Sequence, residues 1–278
     1  MCVTNPLDIK ILIFSFMVEL SFLQLTSAYV VGIFIFILTM LSYWVGHRVR
    51  TRAIRKDPEH AKRDIRTING MLIGLLGLLL AFSFSMSNSR FDDRRHLIAE
   101  EANIIGTTIL RTDMYPDSMR TLLRAALRDY VEKRIAFYEA GMDVKKAMSE
   151  YNSAQDLSLK VWRMASAYAK EDDITTRTSQ LIPSINEMID ITSTRLAAGM
   201  GTIPDSIMYF LFVLCACTSF LLGYDQVDKL DWLIVTGFAI TLSATVFSIV
   251  DLDRPRGGLI SMDKPNQVMV ALRGMFKE

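Results

Sequence analysis

Hydrophobic and polar positions divide this chain into four long apolar runs and one long segment with an amphipathic helical pattern. The apolar runs cover residues 28–46, 68–88, 203–223 and 232–250. A helix of about 20 such residues crosses a hydrocarbon core about 30 Å thick. Residues 90–201 contain no run of that length and place apolar residues at helical spacing. We therefore predict an all-α integral membrane protein with four transmembrane helices and a helical soluble domain inserted between spans two and three.

Five segments follow from this pattern. They are an interfacial N-terminal segment (1–27), a transmembrane hairpin of spans 1 and 2 (28–89), a helical soluble domain (90–202), a second hairpin of spans 3 and 4 (203–250), and a C-terminal turn with a short helix from Val268 to Phe276 (251–278). The first segment is apolar but contains Asp8, Lys10 and Glu19, which favours the interface over a span. The alternative is that translation starts at Met17.

The stretch from Ser87 to Arg111 leaves the second span and becomes the first helix of the soluble domain. Its apolar residues fill about half of a helical wheel; they are Phe91, Leu97, Ile98, Ala102, Ile104, Ile105 and Ile109. Arg94 and Glu101 fall inside this apolar face. A charge on a packing face is costly unless it is paired, so both residues predict partners elsewhere in the chain. The alternative is that their long side chains extend to water.

Three further helices are expected in the soluble domain, at 117 or 118 to 140, about 143–170 and about 175–198. Tyr115-Pro116 ends the first helix of the domain, because the residue before a proline avoids helical geometry. Gly141 ends the second. Leu122 is expected on the core side of the second helix and Trp162 in the core of the third. Pro183 either starts or kinks the fourth.

Charge and composition exclude several function classes. The chain has 278 residues, is 51% hydrophobic with a mean hydropathy of +0.26, and carries a net charge of +1, so nothing favours nucleic acid as a partner. It lacks phosphate-binding glycine loops, HExxH, paired CxxC and GxSxG motifs. The three histidines are scattered. We therefore predict no enzymatic activity, no catalytic residues, no cofactor and no metal.

Basic residues dominate the segment after the first span, which is predicted to be a loop. They are Arg48, Arg50, Arg52, Arg55, Lys56, Lys62, Arg63 and Arg66. The positive-inside rule places this loop in the cytoplasm. Counting spans from there places the amino terminus, residues 90–201 and the carboxyl terminus outside the cytoplasm.

The second span combines small residues with a serine-phenylalanine half. Gly70, Gly74 and Gly77 allow another helix to approach closely. Candidates for lining a partly apolar constriction are Phe82, Ser83, Met86 and Ser87. Phe84 points away from Phe82, because two residues advance a helix by about 200°. The alternative is that the phenylalanines face lipid and the serines bond to their own helix.

Two motifs carry a resemblance to a known family. FDDRR at 91–95 is followed by EANIIGT at 101–107, and LDRP at 252–255 is followed by Gly258 and Ile260-Ser261. In this order, with four spans, they resemble the bacterial bestrophin-like membrane proteins over nearly the whole chain from the first span onward. The resemblance implies a multi-pass protein of the bacterial inner (plasma) membrane that contacts the lipid bilayer.

Bestrophins proper are pentameric anion channels whose second span forms a phenylalanine-containing neck, and the matching positions are Phe82, Phe84 and Ser87. The resemblance thus implies a homo-oligomer, a pentamer if it follows bestrophins, that passes anions or small solutes. It also implies that the segment corresponding to 90–201 is cytoplasmic, opposite to the charge rule. Two features depart from the bestrophin pattern: a proline-containing neck motif is missing, and Arg254-Pro255-Arg256 replaces an Asn-Pro-Phe turn. The alternative function is a membrane-anchored interaction or sensing module without transport.

Charges in the two motifs predict a network at one membrane surface. The second and fourth spans leave the membrane on the same side, since two complete crossings separate their exits. The expected members are Arg94, Arg95, Glu101, Asp251, Asp253 and Arg254. We expect Arg94 to pair with Asp251 or Asp253, and Arg254 to pair with Glu101. The alternatives are that these charges contact only headgroups and water, or that the aspartates hold a metal ion.

Overall fold

A computed structural model of the chain describes residues 26–57, 65–169, 175–226, 231–254, 258–260 and 262–277. Nearly all of the predicted interfacial N-terminal segment lies outside these residues. So do Lys62 and Arg63 of the basic segment and Pro255, Arg256 and Ser261 of the C-terminal motif.

Regular structure in the described part of the chain is helical, as the pattern predicts. The α-helices are α1 (Ala28–Lys56), α2 (Arg66–Arg111), α3 (Asp117–Glu139), α4 (Val144–Tyr168), α5 (Thr175–Met200), α6 (Asp205–Asp225), α7 (Trp232–Asp253) and α8 (Asp263–Ala271), with 3₁₀ turns at Thr112–Met114 and Leu272–Phe276. Within the residues that the structure describes, four helical segments can cross a membrane by length and composition: α1, Arg66–Met114, Thr176–Asp225 and α7.

The chain separates into two compact units. The apolar unit comprises Met1–Asn88 and Thr202–Arg254, and the charged unit comprises Ser89–Gly201 and Pro255–Glu278. The boundary falls inside α2, between Asn88 and Ser89. The chain therefore passes through the main part of the charged unit between the second and third apolar helices, and it returns to that unit after the fourth.

In the apolar unit, α1 packs against both α6 and α7. Its core includes Ile35, Leu211 and Val246, all fully buried. Gly32 lies close to α7, where Ser243 Oγ donates to the Gly32 carbonyl oxygen at 2.7 Å. Small residues at helix crossings allow this close packing. Because no hydrophobic force drives helices together within lipid, close packing supplies the attraction between them.

The first apolar helix is longer than the sequence predicted. We expected the span to end at Gly46 and a basic loop to follow, but α1 continues to Lys56. Arginine and lysine are good helix formers, so a basic stretch does not by itself end a helix. Arg55 and Lys56 also lie in the last turn, where cations interact favourably with the helix dipole.

In the charged unit, α3, α4 and α5 pack with the second half of α2 around one core. Its fully buried members include Ile105, Ile109, Leu123, Leu127 and Leu181. The expected helix ends are confirmed: a 3₁₀ turn finishes before Tyr115-Pro116, and Gly141 follows α3 with a positive φ of 53°. Helices often end at a residue with a positive φ, and glycine suits this position because it has no Cβ to clash with the backbone.

Helix α5 begins at Thr175, as expected, and continues through Pro183 rather than starting there. Three details of the charged unit differ from the expectation. Helix α8 begins at Asp263, five residues before the expected Val268. Leu122 and Trp162 were expected in the core but are exposed. The Trp162 indole N–H donates to Asn186 Oδ1 at 3.1 Å, which satisfies its polar atom near the surface.

Candidate functional site

Helix α2 contacts the rest of the apolar unit along one narrow stripe. Its buried residues are Asn69, Leu76, Ser83 and Ser87, and the partly buried Leu72, Leu79 and Leu80 also pack against the core of the unit. Asn69 Nδ2 donates to the Leu221 carbonyl oxygen of α6 at 3.2 Å. Ser87 Oγ donates to the Ile249 carbonyl oxygen of α7 at 3.0 Å. Spacings of seven and four residues keep these side chains on one helical face.

The rest of the second span is largely uncovered by its own chain. Only 17% of its most apolar window is buried, compared with 28% to 39% in the other three spans. Phe82 is 62% exposed, Phe84 43% and Met86 37%. Of the four candidates for lining, Ser83 and Ser87 are buried within the unit and Phe82 and Met86 are exposed. A lining role for any of them remains a prediction.

The uncovered surface of α2 has two unlike flanks. Measured around the helix from Ser83, one side carries bulky apolar residues, and the other side, up to the point opposite Ser83, carries three glycines together with Ile73 and Phe84. The bulky flank contains Met71, Leu75, Leu78, Phe82 and Met86. The glycine flank contains Gly70, Gly74 and Gly77, where an added Cβ would meet nothing within 4 Å. Phe84 lies on the glycine flank, opposite Phe82.

A buried cluster of charges lies in the charged unit. Glu101 on α2 is fully buried between Arg134 of α3 and Arg195 of α5. Arg134 Nε and Nη2 donate to the two Glu101 carboxylate oxygens at 2.5 and 3.1 Å. Arg195 Nη1 donates to Glu101 Oε2, and its Nη2 donates to Asn266 Oδ1 of α8 at 2.9 Å. This cluster therefore joins four helices through charge-assisted hydrogen bonds.

The electrostatics keep Glu101 ionised. Burial alone raises the pKa of a carboxyl group, but the Arg134 and Arg195 guanidinium groups outweigh it and lower the pKa of Glu101 to about 2. Two guanidinium groups share one carboxylate, so the three side chains carry a net positive charge. The Arg134 guanidinium also lies over the Phe137 ring, 4.9 Å from its centroid, which stabilises a cation.

The partners of Glu101 differ from the one expected. The sequence suggested Arg254, whereas the structure gives Glu101 two arginines of its own unit. Arg134 and Arg195 can both reach Glu101 because each lies on the buried stripe of its helix, at a position where the pattern would favour an apolar residue. Arg134 follows Tyr130 by four residues, and Arg195 follows Ile191 by four. The rule that singled out Arg94 and Glu101 as charges on a packing face would also have found these two.

The remaining charges of the expected network have local contacts. Arg94 is buried and donates to the carbonyl oxygens of Ala198 at 3.4 Å and Gly201 at 3.1 Å. Arg95 forms an exposed ion pair with Asp92 at 3.4 Å. Pairing of Arg94 with Asp251 or Asp253 remains a prediction.

Asp253 has a structural contact inside the apolar unit. Its Oδ2 accepts a hydrogen bond from the Ile203 backbone N–H at 2.9 Å, just before α6 begins. Asp251 is buried. Among the described residues, no three His, Cys, Asp or Glu side chains come close enough together to hold a metal ion.

A family model, the Bestrophin-like domain, matches residues 33–264 of this chain. The chain therefore belongs to the Bestrophin-like family. No curated protein matches it.

Solved structures of a bacterial bestrophin homologue from Klebsiella pneumoniae have a similar fold. One of them, solved by Zn-SAD phasing, is 15% identical with a TM-score of 0.60, and the match covers 86% of this chain and 97% of that chain. A single-substitution variant of that homologue is 14% identical with a TM-score of 0.63, covering 88% of this chain and 99% of that one. These likenesses show a bestrophin fold for this chain.

Proposed function

We propose that this chain is a subunit of an oligomeric membrane channel that passes anions or other small solutes. The observation that carries the proposal is the surface of α2, which packs on its own unit through one stripe and leaves both flanks open. Membership in the Bestrophin-like family supports a channel-like role. In this proposal α2 lines the path, and copies of the chain surround it.

The two flanks of α2 suit two different neighbours. A glycine flank lets a second helix approach closely, so we assign Gly70, Gly74 and Gly77 to contact with a neighbouring copy. The bulky flank then faces the path, where Phe82 and Met86 form an apolar constriction. Such a constriction restricts flow by excluding water.

Cysteine accessibility tests this assignment. In a chain whose three native cysteines are replaced by serine, we expect a water-soluble thiosulfonate reagent to modify Phe82→Cys in membranes. The matched variant is Phe84→Cys, on the opposite flank, which should stay unmodified because it faces lipid or protein. Equal modification of both positions, or none of either, contradicts the lining role.

The charge rule further leads us to propose that the charged unit is extracytoplasmic in a bacterial inner membrane, with the end of α1 in the cytoplasm. Asn152 is exposed on α4 and suits a labelling test. We expect an impermeant thiol reagent to label Asn152→Cys in intact spheroplasts. Labelling only after lysis would place this unit in the cytoplasm instead.

A membrane-anchored interaction module is the second candidate. The charged unit has its own hydrophobic core and its own buried ion cluster. Both features favour this candidate, because neither requires a role in transport. In that case the purified protein would conduct nothing.

A further inference from the structure

The outward face of α1 changes character along its length. Ile37 and Leu41 are exposed apolar residues, Trp44 is an exposed aromatic, and Arg48 and Arg52 are exposed cations. At 100° per residue, these five side chains fall within an arc of about 80°. One continuous stripe therefore passes from apolar through aromatic to cationic.

This order matches the layers of a bilayer. Tryptophan is enriched at the membrane interface, where its apolar ring and polar N–H meet lipid and water. Arg48 lies about 6 Å further along the helix axis and Arg52 about 12 Å, at about 1.5 Å per residue. Because Cα–Cβ bonds tilt toward the N-terminus of a helix, both side chains leave the backbone in the direction of Trp44. The Arg48 guanidinium carbon in fact lies 4.9 Å from the centroid of the Trp44 ring.

Neither the helix dipole nor ion pairing accounts for the cations of this stripe. The dipole favours cations in the last turn, which covers Arg55 and Lys56 but not Arg48 or Arg52. Within the described residues, neither Arg48 nor Arg52 forms an ion pair. Arg50 behaves differently, because it is buried and lies over the Tyr224 ring, 5.0 Å from its centroid. Helix α1 thus turns one arginine inward and keeps these two at its surface.

We propose that Trp44, Arg48 and Arg52 bind the phosphate of an anionic phospholipid, while Ile37 and Leu41 contact its acyl chain. Guanidinium groups bind phosphate oxygens with paired hydrogen bonds. Two adjacent cations select a lipid with a net negative charge over a zwitterionic one, since the zwitterion carries no net charge to offset them. This site is independent of the channel proposal, because it requires insertion in a bilayer but no transport.

Quenching of Trp44 fluorescence tests the site. The chain has three tryptophans, so Trp162→Phe and Trp232→Phe leave Trp44 as the only one. The protein is reconstituted in phosphatidylcholine vesicles that contain a small fraction of brominated phosphatidylglycerol or, in parallel, of brominated phosphatidylcholine. Each arginine in contact with the phosphate should enrich the anionic lipid about fivefold. We expect the phosphatidylglycerol to quench several-fold more strongly.

Replacing Arg48→Gln together with Arg52→Gln should bring the two quenchers to equal strength. The matched control is Arg163→Gln, an exposed arginine of α4 in the charged unit, which should leave the preference intact. Equal quenching by the two lipids in the parent chain overturns the proposal. Quenching by neither lipid also overturns it, because Trp44 would then face protein.

Native mass spectrometry gives a second measurement on a chain that keeps all its tryptophans. After extraction in mild detergent, we expect the parent protein to retain added phosphatidylglycerol and the Arg48→Gln, Arg52→Gln variant to lose it. Retention of the same amount by both proteins contradicts the proposal.

Discussion

Gly46 and Gly223 bring the backbones of α1 and α6 into direct contact. A Cβ atom built on Gly46 would overlap the Phe220 carbonyl oxygen, and one built on Gly223 would overlap the Tyr43 carbonyl oxygen. No side chain fits at either position without separating the two helices. This crossing fixes how α1 packs in the apolar unit.

We predict that Gly46→Ala destabilises the protein by about 1–3 kcal/mol, the usual cost of overpacking a tight contact. The matched control is Gly237→Ala on α7, where an added Cβ meets nothing within 4 Å. That control should be neutral or stabilising, since alanine favours a helix over glycine. Thermal unfolding in detergent measures both. Equal unfolding temperatures for the two variants would contradict the close crossing.

We predict that Glu101→Gln destabilises the charged unit by about 3–5 kcal/mol, because it leaves two buried guanidinium groups without their carboxylate. Glu100→Gln is the matched control, since Glu100 is the neighbouring residue and is exposed. It should unfold at nearly the parent temperature. If the Glu101→Gln variant were as stable as the Glu100→Gln variant, the buried ion cluster would not stabilise the protein.

The same cluster predicts a dependence of stability on pH. The pKa of Glu101 falls from 4.5 to about 2 on folding, so ionised Glu101 stabilises the folded state at pH values above 4.5. This stabilisation is lost as the pH falls from 4.5 to about 2. We expect the unfolding temperature of Glu101→Gln to fall less than that of the parent between pH 4.5 and about 2. Parallel curves for the two proteins would argue against an ionised Glu101.

The sequence predicts that Glu101 has a partner of opposite charge, but it does not identify that partner. The spacing of apolar residues places Glu101 on a buried face, so a compensating charge has to exist. Arg134 and Arg195 lie 33 and 94 residues further along the chain, on other helices. Helical periodicity assigns faces within one helix and cannot pair faces between helices.

The second span shows another limit of sequence reasoning. Ser83 and Ser87 follow Phe82 and Met86 by one residue each, so the sequence placed all four near one another. A span that is apolar all round gives no periodic signal of its inward side. The buried stripe is shown by the contacts of Asn69 and Ser87 with α6 and α7 and by Leu76 in the core of the unit. The glycine and bulky flanks become meaningful once that stripe is known.

Anion flux through the purified protein in liposomes tests the central claim most directly. We predict that the parent chain passes chloride in a voltage-driven assay. Phe82→Ala should raise the flux because it widens the apolar constriction, while Phe84→Ala on the other flank should leave it unchanged. Absence of chloride flux at every pH and voltage, from protein shown to be folded and inserted, would contradict the channel and favour a membrane-anchored interaction module.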